Sequence, residues 1–168
     1  MHLLLALSLI VIIWVTKAYK DIGKYSLTIY YVITSNLLYN VLCKDYLLWE
    51  YKPDFLPKSH VFAELLHTFI TLPAITLLFL TSYPYGLRKL VQAGYITKWV
   101  GKSLLVEALF LLADRLILHN GYQTWMEIPF YLNMYGMLRL HQSKPILTYI
   151  LSIGLIAFLL WYFKVPIT

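Results

Sequence analysis

The sequence predicts an all-α polytopic membrane protein, a single domain over residues 1–168 folded as a bundle of six transmembrane helices. Three observations carry that expectation. The chain is 60% hydrophobic and only 13% charged, against about 25% charged in ordinary soluble domains. Its mean hydropathy is +0.67, more apolar surface than a protein of 168 residues can hide from water. Six apolar stretches, each near the roughly 20 residues needed to cross a bilayer, alternate with polar or proline-containing breaks.

Helix 1 is expected from about His2 to Ala18. The stretch Met1 to Thr16 has no basic leader region and no small-x-small cleavage site, so it reads as a retained helix. Helix 2 is expected from Tyr25 to Cys43. A longer loop, Lys44 to Ser59, is punctuated by Pro53 and Pro57. Helix 3 is expected from His60 to Ser82, kinked at Pro73. Helix 4 should run from Gly94 to Leu118 and end at His119-Asn120-Gly121, a turn suited to positive φ. Helix 5 is expected from Tyr122 to Leu140 with an interior Pro129, and helix 6 from Ile146 to Phe163.

Charge sets the orientation. Loops 1, 3 and 5 with their flanks carry Lys17, Lys20, Lys24, Arg88, Lys89, Lys98, Lys102, Arg139 and Lys144, nine of the 14 basic residues. The positive-inside rule places these loops in the cytoplasm and both termini outside. The net charge of +6 is therefore a topological signal and not a nucleic-acid surface. Arg88, Lys89, Lys98 and Lys102 have the chemistry to hold anionic lipid, though topology alone accounts for them. Most Tyr and Trp residues fall near the expected interfaces, as an aromatic belt requires. The single Cys43 excludes an internal disulfide.

Against this background the polar residues inside the helices stand out, since each costs about 2.5–3.5 kcal/mol to insert. Glu64, His67, Thr68 and Thr71 share one face of helix 3, and Asn36, Tyr39, Asn40 and Cys43 one face of helix 2. Ser103, Glu107 and Asp114 do so on helix 4, and Gln123, Thr124, Glu127 and Tyr131 on helix 5. With Asp45, Trp49, Glu50, His119 and Asn120 from the loops, they outline a polar chamber open to the outside. Trp49 and Glu50 would form its lid and Glu107 its floor. The alternative is structural: polar side chains also hold membrane helices together, at about 1 kcal/mol or less per pair.

Metal binding finds weak support. Glu64-x-x-His67 has di-iron spacing, but such sites use two of these motifs and there is no second one. Nucleophilic catalysis finds little support, with no Gly-x-Ser-x-Gly and no Ser-His-Asp order, and no cofactor is implied, since the scattered glycines form no phosphate loop. The cytoplasmic half is too dry for an ion path, so a dead-end pocket fits better.

Leu38-Tyr39-Asn40, Asp45-x-x-x-Trp49-Glu50-Tyr-x-Pro53, His60-x-x-x-Glu64, His119-Asn120-Gly121 and Leu138-Arg139-Leu140-His141 together resemble a family of small uncharacterised multi-pass membrane proteins of spore-forming Gram-positive bacteria. The resemblance covers essentially the whole chain. It implies a bacterial cytoplasmic membrane and about six helices, and it implies no activity. A fainter likeness is to the small membrane lycopene cyclases, in which Trp49, Tyr51, Pro53 and Glu64 would correspond. The adjacent acid pair of that family is absent, because Leu65 follows Glu64.

Three functions follow as expectations. The first is a bundle that binds a small hydrophobic molecule, lipid or isoprenoid in the outward chamber. The second is an intramembrane enzyme on a lipid or isoprenoid, using Glu64 or Glu107 as a general acid. The third is a structural or assembly partner without a ligand, its protein partner unspecified.

Overall fold

The computed structural model describes residues 1–53 and 60–166. The expected loop features at Asp54, Pro57 and Lys58 lie outside the described residues.

Helix dominates. The elements are α1 (His2–Val15), α2 (Ile22–Leu42), α3 (His60–Leu66), α4 (Leu72–Thr81), α5 (Lys89–Leu112), α6 (Glu127–His141) and α7 (Pro145–Tyr162). A π turn, His67–Thr71, joins α3 to α4, so six helical rods result. Two short strands, β1 (Trp49–Tyr51) and β2 (Leu116–Leu118), pair antiparallel.

Two helices, Val61–Thr81 and Pro145–Tyr162, are long and apolar enough to cross a membrane. A third candidate is the pair formed by α1 and Ala18–Leu42, which meets at an 84° bend. These bounds concern the described residues. α7 is the most lipid-like: Ile146, Ile150, Ile153, Phe158 and Trp161 are all exposed. In water such a face would be a liability, whereas hydrocarbon makes it a natural outer surface.

Contacts show how the rods alternate between two ends. Near the start of α2, Lys24 lies 5.9 Å from the Tyr85 ring centre, and Arg139 at the end of α6 lies 4.9 Å from the same ring. The segments joining α1 to α2, α4 to α5, and α6 to α7 thus share the basic end. At the opposite end β1 pairs with β2, His2 reaches the Lys52 carbonyl, and Tyr122 packs on Phe163.

Between these ends lies an aromatic core. Phe79, fully buried, touches Tyr83, Tyr95, Trp99 and Tyr135 at ring separations of 4.8–5.8 Å. Tyr95 donates to the Phe79 carbonyl at 2.9 Å, and the Ser103 and Tyr135 hydroxyls meet at 2.6 Å. Aromatic hydroxyls in an apolar interior need such partners.

The structure departs from the expected helices at two places, the end of α5 and Pro129. Pro73 lies within the continuous helix Val61–Thr81 and falls just after the π turn, where Leu72 N–H reaches back five residues to His67 O. The wider turn absorbs the hydrogen bond that proline cannot give. α5 starts at Lys89 and stops at Leu112, well short of Leu118. Asp114 adopts φ 53°, Arg115 N–H bonds Phe110 O at 2.8 Å, and Asp114 N–H bonds Leu111 O at 3.1 Å. That is a Schellman termination with aspartate in the usual glycine place. Finally, Pro129 sits in the first turn of α6, where its missing N–H costs nothing. Asn120 and Gly121 do adopt positive φ, 52° and 80°, as their turn requires.

Because Phe79 anchors the core, Phe79→Ala should lower unfolding stability in mixed micelles by about 3–5 kcal/mol. Phe158→Ala, on the exposed face of α7, should change it by less than about 1 kcal/mol. Equal losses would contradict this placement of the core.

Candidate functional site

The polar end is organised by one strand. In β1, Trp49 and Tyr51 point one way and Glu50 the other, as strand alternation demands. The inward side chains stack: Trp49 on Tyr39 with ring centres 4.0 Å apart, and Tyr51 on His67 at the same separation. The Tyr39 hydroxyl accepts from Leu48 N–H at 3.0 Å and Trp49 N–H at 3.3 Å, tying the strand to α2. The ladder fixes register, with Trp49 opposite Leu118 and Tyr51 opposite Leu116. It is prolonged by His119 N–H to Leu48 O at 2.8 Å and Lys52 N–H to Arg115 O at 3.0 Å.

Tyr51 is the meeting point of three acids. Glu64, from α3, lies within hydrogen-bonding reach of the Tyr51 backbone and the Asn40 side chain. Glu107, from α5, and Glu127, which opens α6, lie side by side. Both are buried, at 6% and 5% exposure. Tyr131 and Tyr122 flank the pair, yet neither Glu107 oxygen has a partner in good hydrogen-bond geometry. Burial pushes the Tyr51 phenol well above its ordinary range, and the surrounding Glu64, Glu127 and Glu107 push it the same way. Tyr122 is raised too, first by burial and then by Glu127.

Beside the acids runs a histidine relay. His2 Nε2 lies 2.9 Å from the Lys52 carbonyl, and His2 Nδ1 lies 2.9 Å from His67 Nε2. A carbonyl only accepts, so His2 Nε2 carries a hydrogen; with both rings neutral, His2 Nδ1 then accepts from His67 Nε2–H. Phe110 packs edge-on against His2, with ring centres 4.9 Å apart. On α2, Asn36 donates to the Thr68 hydroxyl at 2.7 Å.

The expected chamber residues therefore divide. Asn36, Asn40, Trp49, Glu64, His67, Glu107 and Glu127 lie in or against one polar cluster. Asp114 does not share the Glu107 helix face: the early end of α5 leaves it exposed on a turn. Asp45 is exposed beside Lys44 at 3.8 Å. Glu50, on the outward face of β1, pairs with His119 at 3.1 Å, both about one-third exposed. Asn120 is exposed and holds the Leu47 carbonyl at 2.7 Å, a role in the turn. Gln123 and Thr124 precede α6 and share no helix face with Glu127.

Sequence reasoning missed His2, and it did not place Tyr51 among the chamber residues. His2 had one usable signal, an ionisable group at the start of an otherwise apolar helix. Tyr51 entered the sequence reading only through the fainter family likeness; strand alternation in Trp-Glu-Tyr was the signal that could have placed it among the acids. A second buried pair, Thr28 with His141 at 2.8 Å, was also missed; Gln142 reaches the same threonine hydroxyl. Among the described residues no three His, Cys, Asp or Glu side chains converge as metal ligands. A wide, shallow groove lined by Ala157, Leu160, Trp161 and Lys164 lies apart, at the end of α7.

Comparison with protein-family models, with curated proteins and with solved structures gave no match. The class of the molecule rests on its own features: a mostly helical protein with two or three helices fit to cross a membrane.

Tyr39→Phe should cost about 1–3 kcal/mol in chemical unfolding, because it leaves two strand N–H groups without their acceptor. Asp45→Asn and Asp114→Asn, both on exposed turns, should each stay within about 0.5 kcal/mol. A neutral Tyr39→Phe would remove the strand from its organising role.

Proposed function

We propose that this is a multi-pass protein of a bacterial cytoplasmic membrane, with six spans and both termini outside. It binds a small hydrophobic molecule, a lipid or an isoprenoid in the polar cluster at the extracytoplasmic end. The alternation of the rods supports the topology, because the segments at one end carry nine basic residues and, of the acids, only Asp21. The family resemblance of the sequence points the same way for membrane and helix number.

One observation carries the binding reading. Glu64, Glu107 and Glu127 come from three different rods and are enclosed around Tyr51, and none forms an ion pair with a cation among the described residues. Three such groups cost about 2.5–3.5 kcal/mol each, whereas a polar contact between membrane helices returns about 1 kcal/mol or less. Holding the helices together does not offset that cost. Carboxyl oxygens without partners are acceptors for the hydroxyl or amine of a ligand, and the stacked rings beside them suit an apolar body.

The contact between Glu107 and Glu127 favours a second reading. Two carboxyls side by side are held by a shared proton, which is what a general acid in a lipid or isoprenoid isomerase or cyclase needs.

Native mass spectrometry of the detergent-purified protein tests both. The parent should carry a small copurified molecule that Glu107→Gln and Glu127→Gln lose while keeping their fold. Variants as stable as the parent and equally loaded would contradict the site. Deletion of the gene should change the membrane lipid or pigment profile only under the enzyme reading.

A further inference from the structure

The basic end holds a feature that charge counting alone does not explain. Arg139, in the last turn of α6, lies between two tyrosine rings, 5.3 Å from the centre of Tyr83 and 4.9 Å from that of Tyr85. Lys24, near the start of α2, lies 5.9 Å from the Tyr85 centre and 5.0 Å from that of Tyr25. Two cations from two different rods thus flank one ring.

The ring platform is itself fixed. Gln92 of α5 accepts from the Tyr83 hydroxyl at 3.0 Å and donates to the Tyr85 carbonyl at 3.2 Å and to the Leu87 carbonyl at 2.9 Å. Tyr83 is 6% exposed. Arginine stacked on aromatic faces keeps its planar fork of donors oriented. Yet Arg139 Nε is buried and has no acceptor. Among the described residues no acid forms an ion pair with Arg139 or Lys24. The one acid of this end, Asp21, shares its segment with Lys17, Lys20 and Lys24, and the other joining segments of this end add Arg88, Lys89 and Lys144 without a further acid.

We infer that Arg139 and Lys24, braced by Tyr83 and Tyr85, form a binding site for a phosphate group, carried by an anionic lipid or free in solution. A phosphate offers several acceptor oxygens to the guanidinium fork and a charge to the lysine. The lipid source rests on the membrane-embedded reading above, which puts this end at the inner headgroup layer, where basic pockets between helices hold anionic lipid. It does not depend on the acidic cluster at the other end.

The test uses the full chain in nanodiscs containing equal phosphatidylglycerol and phosphatidylcholine, with retained lipid counted by native mass spectrometry. Phosphatidylglycerol should be retained about tenfold over phosphatidylcholine. The double variant Arg139→Gln, Lys24→Gln should lose that preference, Arg139→Lys should keep part of it, and Lys44→Gln at the opposite end should keep all of it. Raising salt should erode the preference of the parent, which needs no variant to fold. A parallel arm adds inorganic phosphate to detergent-purified protein: a thermal shift abolished by the double variant assigns the site to free phosphate. Equal retention of the two lipids together with no phosphate shift overturns the inference. Release of the protein from membranes by alkaline carbonate would instead overturn the membrane reading and leave the phosphate arm standing.

Discussion

The pairing of Trp49–Tyr51 with Leu116–Leu118 decides how the polar end of this molecule is built. Three residues of ladder are marginal alone, so the strand depends on its anchors: the Tyr39 hydroxyl, the His2 ring on Lys52 O, and the two stacked aromatic pairs. In exchange it sets Tyr51 among Glu64, Glu107 and Glu127 and turns Glu50 away toward His119. Slipping the register by one residue would exchange these faces and put Glu50 where the aromatic rings now stack.

The two ends of the bundle solve opposite electrostatic problems. At one, carboxyls lie without counter-cations beside phenols and the His2–His67 pair. At the other, Arg139 and Lys24 are set against tyrosine faces, with Asp21 as the one acid of that end. The ion pairs among the described residues, Lys44–Asp45 and His119–Glu50, involve none of Glu64, Glu107, Glu127, Lys24 and Arg139. The aromatic core around Phe79 lies between the two ends.

Much of this was legible in the sequence. The rods were, because long apolar stretches and prolines at their ends leave few alternatives: α2 and α7 begin and end within three residues of their expected limits. His67 and Glu107 were legible as buried groups, and Glu64 as a half-buried one, because ionisable residues inside apolar helices have nowhere else to go. β2 was not. Leu116-Ile-Leu118 continues the apolar run of α5 without glycine or proline, and the helix stops at Asp114 through a left-handed turn that aspartate tolerates but does not announce. That one stop moved Asp114 from the chamber to the surface. Pro129 misled for a related reason: a proline's effect depends on whether a helix start has already removed the hydrogen bond it would break.

The central claim is that the acid-bearing end faces outward and the basic end faces the cytoplasm. In a Cys43→Ser background, Asp45→Cys and Lys20→Cys place single thiols on exposed positions at the two ends. A membrane-impermeant maleimide applied to intact cells should label the thiol at 45 and reach the thiol at 20 only after lysis. Labelling of position 20 in intact cells, with position 45 protected, would contradict the account.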